Sequence, residues 1–356
     1  MVRGWAQHPG DRHHGAHGDL VSRSLDVRAG ELLDFSQNIN PLGSPRNALE
    51  AARRALYEDS GRYPDLEYSG LREALAAYLG VGAEMVVPTN GGAEALFLAA
   101  RAAATGGRAL VLEPTFSEYA AAARASGIEP VRKVARKREE GFGWDPTSYR
   151  DLEGVSVVFL CNPNNPTGNM LGREEVLEVA ACVEEAGAVL VVDEAFADFV
   201  PEISVTDLVD RGLWVARSFT KFFAIPGLRL GCLVCDDAAR VQALQPSWPV
   251  NAVAAAAGIA AVRDRGFAEA SKAEVARLRE DLFGMLDALP GLRPFPGAAN
   301  FLLVRGVDGL PGRLARKGVL VRGCGPFYGL GPEYFRVAVR SPVENGLLVE
   351  AIKEEL

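Results

Sequence analysis

The chain has 356 residues, 48% hydrophobic and 24% charged, with a net charge of −8. This composition suits one large globular domain with a smaller companion, and the scattered basic residues exclude the electrostatic footprint of a nucleic-acid binder. The longest apolar runs, "VSVVFL" and "AVLVV", are strand-sized rather than membrane-spanning, and five dispersed cysteines predict no disulfide framework.

The opening residues lack the apolar core of a secretory signal, so the expectation is a cytoplasmic protein with no membrane or nucleic-acid partner. All four histidines, His8, His13, His14 and His17, lie in the first 17 residues. The rest of the chain therefore lacks the base of a Ser-His-Asp triad unless the N-terminal arm folds over the site. No Walker loop and no GxGxxG after a strand is present.

From residue 69 onward, helix-like and strand-like segments alternate. Periodicity predicts helices at 69–79, 92–104, 116–126, 172–187 and 252–288. Apolar or β-branched runs predict strands at 85–88, 109–113, 155–160, 188–193, 213–218 and 229–234. Such alternation predicts an α/β fold: a large, mostly parallel sheet sandwiched between helices. The tail, with "FLLVRG", "GVLVRGCG" and "YFRVAVR", reads as short strands of a small α+β domain that both chain ends build. The expected division is an N-terminal arm at 1–45 joining the small domain, a large domain at 46–250 and the small domain at 251–356.

Unusual residues recur just after the strands, on the edge where open α/β sheets bind ligands. "TNGGAEAL" places Gly91, Gly92 and Ala93 at the start of a helix, where free N–H groups favour a phosphate; taken alone, the motif fits a tight turn with a helix cap better. "CNPNNPTGN" packs Asn162, Asn164 and Asn165 between prolines, which makes a rigid turn or a site. Asp193 ends an apolar run, where a carboxylate needs a partner: a helix cap, an ion pair or the nitrogen of a ring held protonated. "SFTKFFAIPGLRLG" supplies Ser218, Thr220, Lys221 and Arg229. Two hydroxyls and a guanidinium suit a phosphate, and a lysine among apolar residues has a depressed pKa unless it snorkels to water. Together these groups are what pyridoxal 5'-phosphate requires, with Phe116 available to stack on its ring.

"NPNNPTG", "DEAF" and "SFTK" followed by "GLRLG", in this order and spacing, resemble the fold-type I pyridoxal phosphate enzymes of the aminotransferase superfamily over nearly the whole chain. The resemblance implies that Lys221 forms the Schiff base and that Asp193 holds the ring nitrogen. It gives Asn165 the ring 3-oxygen, and Gly91, Gly92, Ala93, Ser218, Thr220 and Arg229 the phosphate. Tyr63 in "GRYPD" resembles the tyrosine that reaches the phosphate from the neighbouring subunit, which implies a homodimer. Arg336 resembles the arginine that binds the substrate carboxylate through two hydrogen bonds.

Within the superfamily, "LLDFSQNINPLGSP", "RYPDLEYSGLREALA", "EPTFSEY" and "YFRVAVR" are similar to the branch of L-threonine O-3-phosphate decarboxylases and histidinol-phosphate aminotransferases. That branch implies a small phosphorylated amino-acid substrate surrounded by Asn38, Arg322 and an N-terminal His-Gly pair. The pair is His17–Gly18 by motif, or His14–Gly15 by distance to Asn38; no metal is expected. Phe196 stands where transaminases commonly carry tyrosine, which favours the decarboxylases and leaves Asn165 as the main donor to the 3-oxygen. The expected reaction converts L-threonine O-3-phosphate to (R)-1-aminopropan-2-yl phosphate and CO2 in cobalamin biosynthesis. The alternative is transamination of the histidinol-phosphate type.

Overall fold

A computed structural model describes residues 32–138, 141–143, 149, 151–210 and 212–356. Its centre is a seven-stranded sheet in the order Val86–Thr89, Gly231–Val234, Leu213–Ser218, Val189–Asp193, Val155–Cys161, Arg108–Glu113, Glu129–Val134. Gly231–Val234 runs antiparallel to both neighbours, and the remaining pairs are parallel. The strands are apolar runs because both faces are covered: every residue of Val155–Cys161 and of Leu213–Ser218 is buried. Helices Gly91–Ala103 and Glu118–Ala125 pack one face around Val111, Val157 and Val191. Helix Arg173–Glu185 packs Val176, Val179 and Val183 against the other face.

The expectation of a mostly parallel sheet between helices holds, and a second, smaller sheet lies beside it. Four antiparallel strands, in the order Arg293–Pro294, Phe301–Arg305, Tyr334–Ala338, Arg322–Gly323, form a small sheet. It is covered by Arg265–Asp287 and Pro342–Lys353 through Leu278, Leu282, Leu348 and Ile352. The early strand Leu33–Asp34 pairs in parallel with Val319–Leu320, and Ala338 N–H donates to the Phe35 carbonyl at 2.9 Å. Sequence-distant segments thus build this unit together.

The helix expected over 252–288 is two helices, Ala252–Val262 and Arg265–Asp287. Asp264 leaves helical geometry and its carboxylate accepts the Phe267 N–H at 2.9 Å, so it caps a new helix inside a continuous apolar pattern. Among the described residues, no helix is long and apolar enough to cross a membrane.

Candidate active site

The carboxyl ends of the central strands lie in one row. Register pairs Thr89 and Ser218 with Gly231, Ala216 with Asp193, and Asp193 with Cys161. The chain leaves each strand there into a short turn, which presents the predicted residues along one edge.

Lys221 sits on the four-residue helix Phe219–Phe222 that follows its strand. Its Nζ donates to Ser218 Oγ at 3.2 Å and lies 5.3 Å from the centre of the Phe196 ring. Burial pushes its ammonium pKa down; the negative charge of Asp193 works against that shift, and Arg229 adds to it. Asp193 is itself buried. Its Oδ1 accepts the Ala195 N–H at 2.9 Å and its Oδ2 accepts the Tyr119 hydroxyl at 2.8 Å. Burial raises its carboxyl pKa, while Lys221 and the tyrosine hydrogen bond lower it. Tyr119 in turn stacks on Phe159, ring centres 5.3 Å apart, and meets Phe116 edge-to-face at 5.8 Å.

Beside the lysine, the backbone forms a cradle. Helix Gly91–Ala103 begins at Gly91, whose φ of +79° is left-handed. A Cβ on Gly91 would lie 2.6 Å from an Arg229 guanidinium nitrogen, and one on Gly92 would lie 3.0 Å from Ser218 Cβ. A Cβ on Gly231 would come within 2.7 Å of the Gly92 nitrogen. Three glycines therefore let a helix N-terminus, carrying Ala93 in its first turn, approach the buried Ser218 and Thr220 hydroxyls, which are 2.9 Å apart, and Arg229. Arg229 also has positive φ, and its guanidinium donates to the Pro226 carbonyl at 3.1 Å.

The asparagine turn divides its labour. Asn162 closes it by bonding both ways with Leu171, at 2.8 and 3.0 Å. Asn164 is buried and serves the turn itself: it accepts from Thr115 Oγ1 at 2.7 Å and donates to the Pro114 carbonyl at 2.9 Å and Thr167 at 2.8 Å. Asn165 is half-buried, and its Oδ1 accepts from Arg336 Nη1, which leaves the amide protons for another acceptor.

Arg336 is buried on the small sheet, with Nη2 on the Ser36 carbonyl at 2.7 Å and its guanidinium 5.4 Å from the Phe301 ring centre. Arg322 lies directly opposite on the neighbouring antiparallel strand, also buried, 5.6 Å from the Phe327 ring centre. Burial holds both guanidinium pKa values down, that of Arg336 to about 10, with Arg322 adding to the shift. Among the described residues Arg336 has no carboxylate within ion-pair distance. Asn38 is buried nearby in sequence to Asn40, whose backbone N–H donates to the Lys221 carbonyl at 3.1 Å; the Asn38 Oδ1 is buried with no partner among the described residues.

Tyr63 is 77% exposed and stacks on Trp248, ring centres 4.5 Å apart. His17 and Gly18, and the alternative His14 and Gly15, lie outside the described residues. Tyr119 and the ion-paired group around Arg217 were not singled out from the sequence. Tyr119 falls in the quoted "EPTFSEY", three residues after Phe116, and that spacing brings the two onto neighbouring positions of one turn.

A model of aminotransferase class I and II matches residues 30–352. The chain belongs to the aminotransferase class I and II family. It is 38% identical over 361 aligned residues to the threonine-phosphate decarboxylase of Salmonella typhimurium, covering 96% of both chains. The solved structure of L-threonine-O-3-phosphate decarboxylase from Porphyromonas gingivalis superposes with a TM-score of 0.81 at 26% identity, covering 90% of this chain and 98% of that one. Histidinol-phosphate aminotransferase from Clostridium acetobutylicum superposes at 0.83 with 29% identity, covering 91% and 99%. Membership makes the chain a pyridoxal 5'-phosphate enzyme of fold-type I, and its donor set fits the cofactor. A Cβ-free cradle at a helix N-terminus suits a phosphate, a buried carboxylate suits a protonated ring nitrogen, and a lysine with a lowered pKa suits a carbonyl carbon.

Proposed function

We propose that the protein decarboxylates L-threonine O-3-phosphate, giving (R)-1-aminopropan-2-yl phosphate and CO2, as a step of cobalamin biosynthesis. The observation that carries the substrate class is the buried pair Arg336 and Arg322, facing each other across two strands with Arg336 free of any described carboxylate. Two guanidiniums side by side in low dielectric favour a ligand with two anionic groups, here a carboxylate and a phosphate. The reaction type follows the Salmonella relative, whose likeness spans the whole chain.

In this reading Gly91, Gly92, Ala93, Ser218, Thr220 and Arg229 hold the cofactor phosphate, and Phe116 covers its ring. Asn165 donates to the ring 3-oxygen, and Tyr63 of the partner subunit in a homodimer completes the phosphate site. Asp193 keeps a proton on the ring nitrogen, and Tyr119 fixes that carboxylate. Lys221 anchors the cofactor covalently. When bound, pyridoxal phosphate supplies the electron sink for the bond that breaks at the substrate Cα. Arg336 orients the carboxylate, while Arg322 with Asn38 and His17–Gly18 holds the distal phosphate, so the two ends fix the rotation about Cα. The amine of Lys221, half-buried beside the Phe196 ring and bonded to Ser218, would then supply the proton to Cα.

The test is a product assay with purified holoenzyme. CO2 and an aminopropanol phosphate should form from L-threonine O-3-phosphate without any keto acid. Turnover that requires 2-oxoglutarate and releases no CO2 would replace this reading with the aminotransferase one.

A further inference from the structure

Glu113 ends the strand Arg108–Glu113 and is 4% exposed, yet no role assigned above uses it. One carboxylate oxygen accepts the Thr115 N–H at 2.9 Å; the other lies 3.6 Å from Arg132 Nε on the adjacent strand. Arg132 is placed over the Tyr328 ring at 5.3 Å. Glu113, Thr115, Arg132, Phe327 and Tyr328 line a cleft of about 160 Å³ between the central sheet and the loop of the small unit. Phe327 in that loop carries the guanidinium of Arg322. Thr115 bonds Asn164, which fixes the turn that presents Asn165, and Phe116 follows directly in the chain.

We propose that Glu113 is a positioning residue that joins the two halves of the site. Through Arg132 and Tyr328 it seats the loop behind Arg322, and through Thr115 it sets the turn that bears Phe116 and Asn165. The inference rests on the reading that Arg322 meets the substrate's distal phosphate.

The groups facing Glu113 are Arg132 from strand Glu129–Val134, Tyr328 from the loop and the neutral Thr115 and Ser117 of its own turn. Burial pushes the Glu113 carboxyl up to about 7, against the Thr115 hydrogen bond and Arg132. Above that value the anion holds both partners. Below it the proton removes the attraction for Arg132, so the seat of Arg322 loosens as pH falls.

The test is Glu113→Gln, which resembles the protonated wild type and so places no new demand on folding. The ratio of KM for L-threonine O-3-phosphate, variant over wild type, should be about tenfold near pH 8.5 and fall toward one near pH 6, with kcat moving less than about threefold. The second ionisation of the substrate phosphate, near pH 6, affects both proteins alike and cancels in the ratio. Arg132→Gln should give the same rise near pH 8.5, and the double variant no further rise. A ratio constant with pH, kcat and KM changing together, or additive single variants would overturn the proposal. Calorimetric binding of inorganic phosphate to the holoenzyme separates this failure from that of the underlying reading. Wild type binding no phosphate at either pH refutes the phosphate role of Arg322. Wild type and variant binding equally tightly at both refutes the role of Glu113 alone.

Discussion

Replacing Arg217 with methionine should destabilise the protein strongly, and more so as pH rises. Arg217 precedes Ser218 and is buried with both its partners, Glu194 beside Asp193 and Asp198 five residues beyond it; all three are under 5% exposed. One guanidinium nitrogen meets Glu194 Oε2 at 2.6 Å and the other meets Asp198 Oδ1. Methionine retains much of the aliphatic volume, so the change reports charge rather than a cavity. Glu194 would keep the Val205 N–H at 2.7 Å and the Ser204 and Thr206 hydroxyls. Among the described residues, Asp198 would keep only the Tyr78 hydroxyl, at 2.8 Å. Stranding a buried charge in this way costs about 3–5 kcal/mol.

Burial already holds the Asp198 carboxyl above its ordinary 3.8, and losing Arg217 raises it further. Below the unfolded value both states carry the proton and no penalty arises. Between the unfolded and folded values only the unfolded chain ionises, so stability falls by about 1.4 kcal/mol per pH unit. Thermal unfolding of Arg217→Met should therefore show a small deficit near pH 4 and a deficit of several degrees near pH 8. Adding Asp198→Asn should restore about 2 kcal/mol at the higher pH only. A loss below about 1 kcal/mol, an equal loss at both pH values, or no rescue would refute the charge argument.

Two further outcomes are expected. Tyr119→Phe removes one of the two donors to Asp193, so the Asp193 carboxyl rises and the acid limb of kcat/KM moves up by as much as about one pH unit; the pH titration of the cofactor's visible absorbance should move with it, and an unmoved limb would deny Tyr119 its role. If Tyr63 completes the partner's site, mixing Tyr63→Ala subunits with Lys221→Ala subunits should recover roughly a quarter of wild-type activity, because half the dimers then hold one intact site. Mixtures as inactive as their parents would return Tyr63 to its own chain or to the surface, where it stacks on Trp248.

The cofactor set was legible because each piece is contiguous: "SFTK", "DEAF" and "TNGG" are turns that leave one strand, and neighbours in sequence there are neighbours in space. What escaped depends on long-range pairing. Tyr119 is 74 residues from Asp193, and nothing in "EPTFSEY" says which carboxylate its hydroxyl meets. Arg217 stood inside the most informative stretch, yet its acids are 23 and 19 residues away on the turn after the previous strand. Asn164 and Asn165 read alike as turn residues, and only the fold separates the one that ties the turn to Pro114 from the one that meets Arg336. The division of 252–288 escaped because Asp264 caps a helix within an unbroken apolar rhythm, where pattern outweighs a single polar residue.

On the proposed reading, the facing arginines suit a substrate that carries both a carboxylate and a phosphate. Burial lowers both guanidinium pKa values, and the charge of Arg322 on the neighbouring strand adds to the shift of Arg336. Hydrogen bonds to Asn165 and the Ser36 carbonyl, with the ring face of Phe301, hold Arg336 in place, and Phe327 lies against Arg322. In that reading a carboxylate and a phosphate each find a guanidinium there, while a monoanion would engage only one. Arg336 also touches Asn165, so the half of the site assigned to the substrate carboxylate is hydrogen-bonded to the half assigned to the cofactor ring. A ligand that fills only the phosphate end leaves Arg336 without its carboxylate and that link without its load. In that reading, binding of the whole substrate, rather than of either anion alone, would orient Cα for reaction.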